Sequence, residues 1–146
     1  MAKPIPDGYP RVTPYLIIDG ASAAIEFYRS VLGATERMRM PTPDGKVGHA
    51  ELELGDGEVY LGQPGGGYKS PKRLGLRTTL IHVYVDDVDA HFERAKAAGA
   101  EITDEPADQE YGDRRYSALD PEGIEWFFAQ HVREVAPEEY GATVAS

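Results

Sequence analysis

YLIIDGASAAIEFYRSVLGATE at 15–36 and HVYVDDVDAHFERAKAAGAEI at 82–102 pass through the same events in the same order. Each opens on a β-favouring apolar run, meets an Asp, continues with apolar residues at helical spacing and closes on Gly-Ala. Asp19 and Asp86 stand 67 residues apart; Gly33-Ala34 and Gly99-Ala100 stand 66 apart. Gly57 and Gly123, each opening a last strand, are also 66 apart. Three landmarks at nearly one offset mark an internal repeat.

The first copy reads as a strand over 11–18, with Pro14 making it an edge or irregular strand. A helix over 20–32 follows, with Ala24, Phe27, Tyr28 and Val31 on one face and Gly33 as its stop. Strands follow over 34–40, 46–54 and 58–63, separated by PTPDG (41–45) and GDG (55–57). The second copy reads as a strand over 78–85, a helix over 87–99 carrying Val88, Phe92 and Ala95, and strands over 100–103, 114–119 and 124–131. A lone βαβββ unit leaves a sheet face it cannot bury, so two copies must pack. The expected class is α+β, two tandem βαβββ modules with the helices outside. The modules (11–63 and 78–131) form one domain over 10–131, followed by a polar tail, 132–146, laid over the surface or a partner chain. The Gly/Pro-rich connection at 64–77, built on QPGGGYKSPKRLG (63–75), reads as a linker or mobile lid. It lacks the G-x-x-x-x-G-K-[ST] spacing of a phosphate loop.

Composition narrows the function. Lys and Arg total 15 against 25 Asp and Glu, giving −10. Phosphate neutralisation needs a basic surface, so nucleic acid is excluded as a partner. There is no cysteine, which removes disulfides, thiolate ligands and a Cys nucleophile. No signal-like or membrane-length apolar run is present, so a cytoplasmic protein without a membrane partner is expected. No nucleophile elbow or Gly-rich nucleotide fingerprint occurs.

The two quoted segments, with VGHAELELGDGEVYL (47–61) and YGDRRYSALDPEGIEWFFAQH (111–131), resemble the vicinal oxygen chelate superfamily: glyoxalase I, extradiol dioxygenases and bleomycin-resistance proteins. The D-P-x-G turn and the F-Y-x-x-x-L-G helix end carry the resemblance together. It implies two curled sheets with concave faces that hold small molecules, and assembly as a homodimer.

Metal-dependent members place His, Gln or Glu on the first and last strand of each module. Carried over, those positions fall on Thr13, on Tyr60 or Leu61, on Leu80 and on Phe127. None is a metal ligand, so no metal and no cofactor is expected. The alternative is one displaced divalent ion on donors such as His49, Glu51, His82, Glu125 and His131.

Strand alternation puts Tyr15, His82 and Tyr84 on the cavity side with Thr13 and Leu80. His49 and Glu51 lie opposite the apolar face of their strand, toward the cavity or solvent. Tyr111 and Arg114 are placed at the pocket rim, with Asp113 in the turn between them. Ligand-binding candidates are thus Thr13, Tyr15, His49, Glu51, Tyr60, Leu80, His82, Tyr84, Tyr111, Arg114, Glu125 and Phe127; catalytic candidates, if any, are His82 and Glu125. His91, among charged neighbours, reads as a surface residue.

The favoured function is a metal-free binding protein for a small aromatic or cationic molecule, with antibiotic or toxic-metabolite sequestration as its concrete form. The alternative is a metal-dependent enzyme: a glyoxalase-like lyase, isomerase or dioxygenase. A scaffold module would instead show a filled cavity.

Overall fold

The computed structural model describes residues 2–145. The chain divides between Leu76 and Arg77 into two compact units, the Pro121–Gly123 turn belonging with the first. The first contains β1 (Tyr15–Ile17), α1 (Ala21–Ser30), β2 (Thr35–Pro41), β3 (Val47–Leu54), β4 (Gly57–Gly62) and a short α2 (Pro71–Leu74). The second contains β5 (Leu80–Tyr84), α3 (Val88–Ala97), β6 (Glu101–Asp108), β7 (Asp113–Leu119), β8 (Glu125–His131) and a 3-10 turn, Pro137–Tyr140. The sheets have orders β1-β4-β3-β2 and β5-β8-β7-β6. Each first strand runs parallel to the last of its module, with Tyr15 opposite Tyr60 and Leu80 opposite Glu125. This is the expected pair of βαβββ modules.

In each sheet, alternation separates a buried face from an open one. Leu16, Ile18, Ala50, Leu52, Val59 and Leu61 are buried in the first unit, as are Ala24, Ile25, Tyr28 and Val31 of α1 and its C-terminal end. Phe27, expected on that helix face, is only half-buried; Ile25 takes its place. In the second unit Tyr116, Trp126 and Phe128 are fully buried, Tyr116 and Phe128 packing against Phe92 and His91 of α3. Burying each such side chain stabilises by about 1.5–3 kcal/mol.

Two side chains of the DPEG stretch each hold structure within their own unit. Asp120 accepts from Ile124 N (3.0 Å) and from Trp126 Nε1 (3.0 Å), holding the turn and the largest core ring. Glu122, almost wholly buried, accepts from Asp19 N (2.5 Å) and Gly20 N (3.0 Å), the amides leading into α1. Gly20, as N-cap, has no side chain for that role. The α3 N-terminus instead uses its own Asp87, which accepts from Ala90 N at 3.0 Å.

Several expectations are corrected. The first strand is Tyr15–Ile17, not 11–18, because Pro14 has no N–H to pair; its carbonyl still accepts from Tyr60 N at 2.9 Å. β6 extends to Asp108, past the expected 103, as an edge strand whose register shifts between Asp104 and Ala107, around Pro106. The 64–77 connection has local order: Ser70 is buried, caps α2 through Arg73 N, and donates to Asp19 Oδ2 at 2.5 Å. Gly57 is not the counterpart of Gly123. The first hairpin turns through Gly55 (φ +60°), whereas Gly123 (φ +80°) closes a longer turn.

His91 is the largest correction. It is buried, with its Nδ1 2.5 Å from the Tyr116 hydroxyl and its ring centroid 4.4 Å from that of Phe128. Burial, with Arg94 nearby, lowers its pKa to about 4. Asp89 and Glu93 point away from this face of the helix, and they and Arg94 are exposed. The tail lies against the second unit: Arg133 donates to the Gln109 and Glu110 carbonyls, and the Tyr140 ring meets Tyr111.

Candidate functional site

The open face of the first sheet gathers the aromatic candidates. Tyr15, on β1, lies between Tyr60 of β4 (ring centroids 5.6 Å, edge-on) and His49 of β3 (5.5 Å). The Tyr15 hydroxyl and His49 Nδ1 share a hydrogen bond of 2.6 Å. Tyr15 remains 52% exposed, so a face of its ring is accessible to a ligand. A cavity of about 580 Å³ opens here, lined by Tyr15, Ile17, Gly48, Gly62, Pro64 and Tyr68. Its walls are aromatic and apolar with Gln63 at the edge, the composition of a small-molecule pocket.

Glycine builds this cavity. A Cβ on Gly62 would lie 2.6 Å from Tyr15 Cε1, so only a glycine lets the ring rest across β4. Gly62→Ala is therefore expected to swing Tyr15 away and break its bond to His49. Because the ring is half-exposed, the cost to stability should stay near 1 kcal/mol. The ¹⁵N shift of His49 Nδ1 reports the displacement; an unchanged shift would refute the argument.

Beneath the rings lie carboxylates. Glu51, opposite Tyr60 in the strand register, is buried and accepts from the Tyr9 hydroxyl at 3.2 Å. Its burial corrects the solvent-facing option. Tyr60, not Leu61, faces this side; Leu61 is in the core. Desolvation, then the charges of Glu51 and Glu58, hold the Tyr60 hydroxyl above its ordinary pKa.

The second open face carries Leu80, His82, Tyr84, Glu125 and Phe127. His82 and Tyr84 rings meet edge-on at 4.9 Å. The Tyr84 hydroxyl donates to Asp113 Oδ2 at 2.9 Å, and Asp113 Oδ1 pairs with His131 Nδ1 at 2.8 Å. The bond to Asp113, then the one to Glu134, raise the His131 pKa. Asp113 is buried and serves as more than a turn residue. Arg115 lies 4.5 Å over the Phe127 ring and donates to the Tyr111 hydroxyl at 3.2 Å.

Arg114 departs from its expected place at the rim. Its guanidinium pairs with Asp89 of α3 and with Asp108, on the helix-covered side. Arg115 is the residue on the open face. The signal was available: with Tyr116 in the core, alternation puts Arg114 on its side and Arg115 opposite.

Within each unit, the strand register pairs the positions carried over for a metal differently from the expectation. Thr13 lies outside β1 and is half-buried. Extending the parallel register back from Tyr15 and Tyr60 sets it opposite Glu58, a residue missed from sequence. Glu58 is ion-paired with Arg37 at 3.3 Å. Leu80 is opposite Glu125, while Phe127 is opposite His82. In the first unit Thr13 supplies no strong ligand beside Glu58, and in the second Leu80 supplies none beside Glu125, so each strand pair by itself offers a single carboxylate to a divalent ion. Among the described residues, no three His, Asp or Glu side chains converge as ligands would. No helix among them is long and apolar enough to cross a membrane.

Relatives agree with the architecture. The sequence pattern of the Glyoxalase/Bleomycin resistance protein/Dioxygenase superfamily matches residues 10–128. Uncharacterized protein Mb0911c of Mycobacterium bovis is 40% identical over 142 residues, covering 94% of this chain and 93% of its own. Putative glyoxylase CFP32 of the same organism is 36% identical over 110 residues, which is 74% of this chain but 39% of that protein. The crystal structure of TioX from Micromonospora sp. ML1 superposes with a TM-score of 0.67 at 30% identity, covering 87% of this chain and 100% of TioX. The duplicated βαβββ modules, their open aromatic faces and a pattern matched across most of the chain lead to one assignment: the chain belongs to the Glyoxalase/Bleomycin resistance protein/Dioxygenase superfamily.

Proposed function

We propose that this protein is a metal-free binder of a small, flat, partly apolar molecule, acting as a homodimer and sequestering an antibiotic or toxic metabolite. The observation that carries this reading is the cavity of about 580 Å³ walled by Tyr15 and Tyr68, with His49 hydrogen-bonded behind the Tyr15 ring. Tyr15 offers an accessible π face, and the His49 contact fixes its orientation, lowering the ordering cost of binding. The lack of three converging metal donors among the described residues supports a metal-free site. The buried acids behind the rings favour a neutral or cationic ligand over an anion.

Thermal denaturation with a panel of planar heteroaromatic natural products tests the reading. A ligand at 100 times its Kd should add about 2.7 kcal/mol of stability. Tyr15→Ala should weaken that ligand at least tenfold. Absence of stabilisation across the panel would count against binding.

The metal-dependent lyase, isomerase or dioxygenase is a second reading, favoured by the likeness to putative glyoxylase CFP32 and by Glu125 on the second open face. Stoichiometric divalent metal in purified protein, lost in Glu125→Ala, would establish it over the first.

A further inference from the structure

We propose that the cleft between the N-terminal segment and the β3–β4 hairpin is a second binding site, taking a small protonated amine. It has a volume of about 290 Å³, and its walls include Gly8, Tyr9, Arg37, Glu53, Gly57 and Glu58. Glycine at three wall positions, counting Gly55, keeps the cleft free of side chains that would fill it.

Buried acceptors outnumber aligned donors at this cleft. The Glu58 side chain is 1% exposed, yet neither of its carboxylate oxygens receives a hydrogen bond. Arg37 Nε, at 3.3 Å, supplies charge without hydrogen-bond alignment. Glu51 Oε2 is likewise buried without a donor. Arg37 is already shared: it reaches Glu53 at 3.2 Å, donates to the Gly8 carbonyl at 2.8 Å and stacks 4.2 Å over the Tyr9 ring. One guanidinium thus serves Glu51, Glu53 and Glu58, with Asp56 adding further negative charge at the cleft. Buried carboxylate oxygens without donors are costly, and an ammonium brings three donors with the missing charge. Burial, then the neighbouring charges of Glu51 and Glu53, raise the Glu58 pKa against the opposing Arg37. A divalent ion is a poorer match, since no three ligands converge among the described residues. An anion is opposed by the excess of carboxylates.

This site does not depend on the aromatic cavity. Calorimetric titration of the full chain with butylammonium, at constant ionic strength and with 1-butanol as neutral control, tests it. Butylammonium should bind saturably and 1-butanol should not. Glu58→Gln, which keeps the shape and removes the charge, should weaken binding at least tenfold, whereas Tyr15→Ala should leave it unchanged. Should Glu58→Gln fail to fold, Glu53→Gln at the cleft edge should show a weaker loss of the same kind. No saturable binding in the wild type, or equal affinity in the folded Glu variants, would overturn the proposal.

Discussion

Glu122→Ala is expected to cost about 3 kcal/mol of stability, a large share of what holds a domain of this size together. Glu122 is 1% exposed, and its two oxygens accept from Asp19 N and Gly20 N at the entry to α1. Removing it leaves two amides without their acceptor, each worth about 1–3 kcal/mol, and takes a carboxylate from the positive end of a helix dipole. Gly20 has no side chain to substitute. Glu122→Gln, which keeps one oxygen acceptor and the shape, should lose about half as much. Urea denaturation measures both. Equal stability of Glu122→Ala and wild type would show that the turn does not anchor the helix.

Acid should destabilise the protein through His91. An unfolded histidine takes up its proton near pH 6.5, whereas this one resists until about 4. Between those values the unfolded chain binds more protons. The His91 contribution is therefore complete above about 6.5 and is lost as pH falls toward 4, amounting to about 3 kcal/mol. His91→Phe should behave differently. It deprives the Tyr116 hydroxyl of its partner, costing about 1–2 kcal/mol at every pH, but removes the titrating ring. The difference in stability between wild type and variant should shrink or reverse from pH 7 to pH 4. A difference that stays constant over that range would mean that His91 accepts a proton without penalty in the folded state.

Much of the architecture was legible because it rests on local rules. The repeat, the two helices and the order of strands follow from periodicity and from glycines; Gly33 and Gly99 do adopt the positive φ that ends a helix. Alternation put Tyr15 on the cavity side and left His49 and Glu51 toward cavity or solvent, with Tyr60 or Leu61 open by one residue of register; the structure brings Tyr15, His49, Glu51 and Tyr60 together. Where expectation failed, the cause was nonlocal or a matter of register. Arg114 and Arg115 are neighbours in sequence, and a shift of one residue sends the side chain to the opposite face. His91 looked exposed because its sequence neighbours are charged, but its burial comes from Tyr116 and Phe128, 25 and 37 residues away. Ser70 lies in a Gly/Pro-rich stretch, and its anchor, Asp19, is 51 residues earlier.

By itself the sequence determined the duplicated module, the superfamily resemblance and the weakness of Thr13 and Leu80 as metal ligands, since all three depend on residue type and spacing along the chain. Only the tertiary structure decided that Glu58 lies buried beside Arg37, that Gly62 gives Tyr15 its place, and that Glu122 holds the start of α1. Those are pairings between residues tens of positions apart. Their energies depend on distance and on exclusion of water, which exist only once the chain has folded.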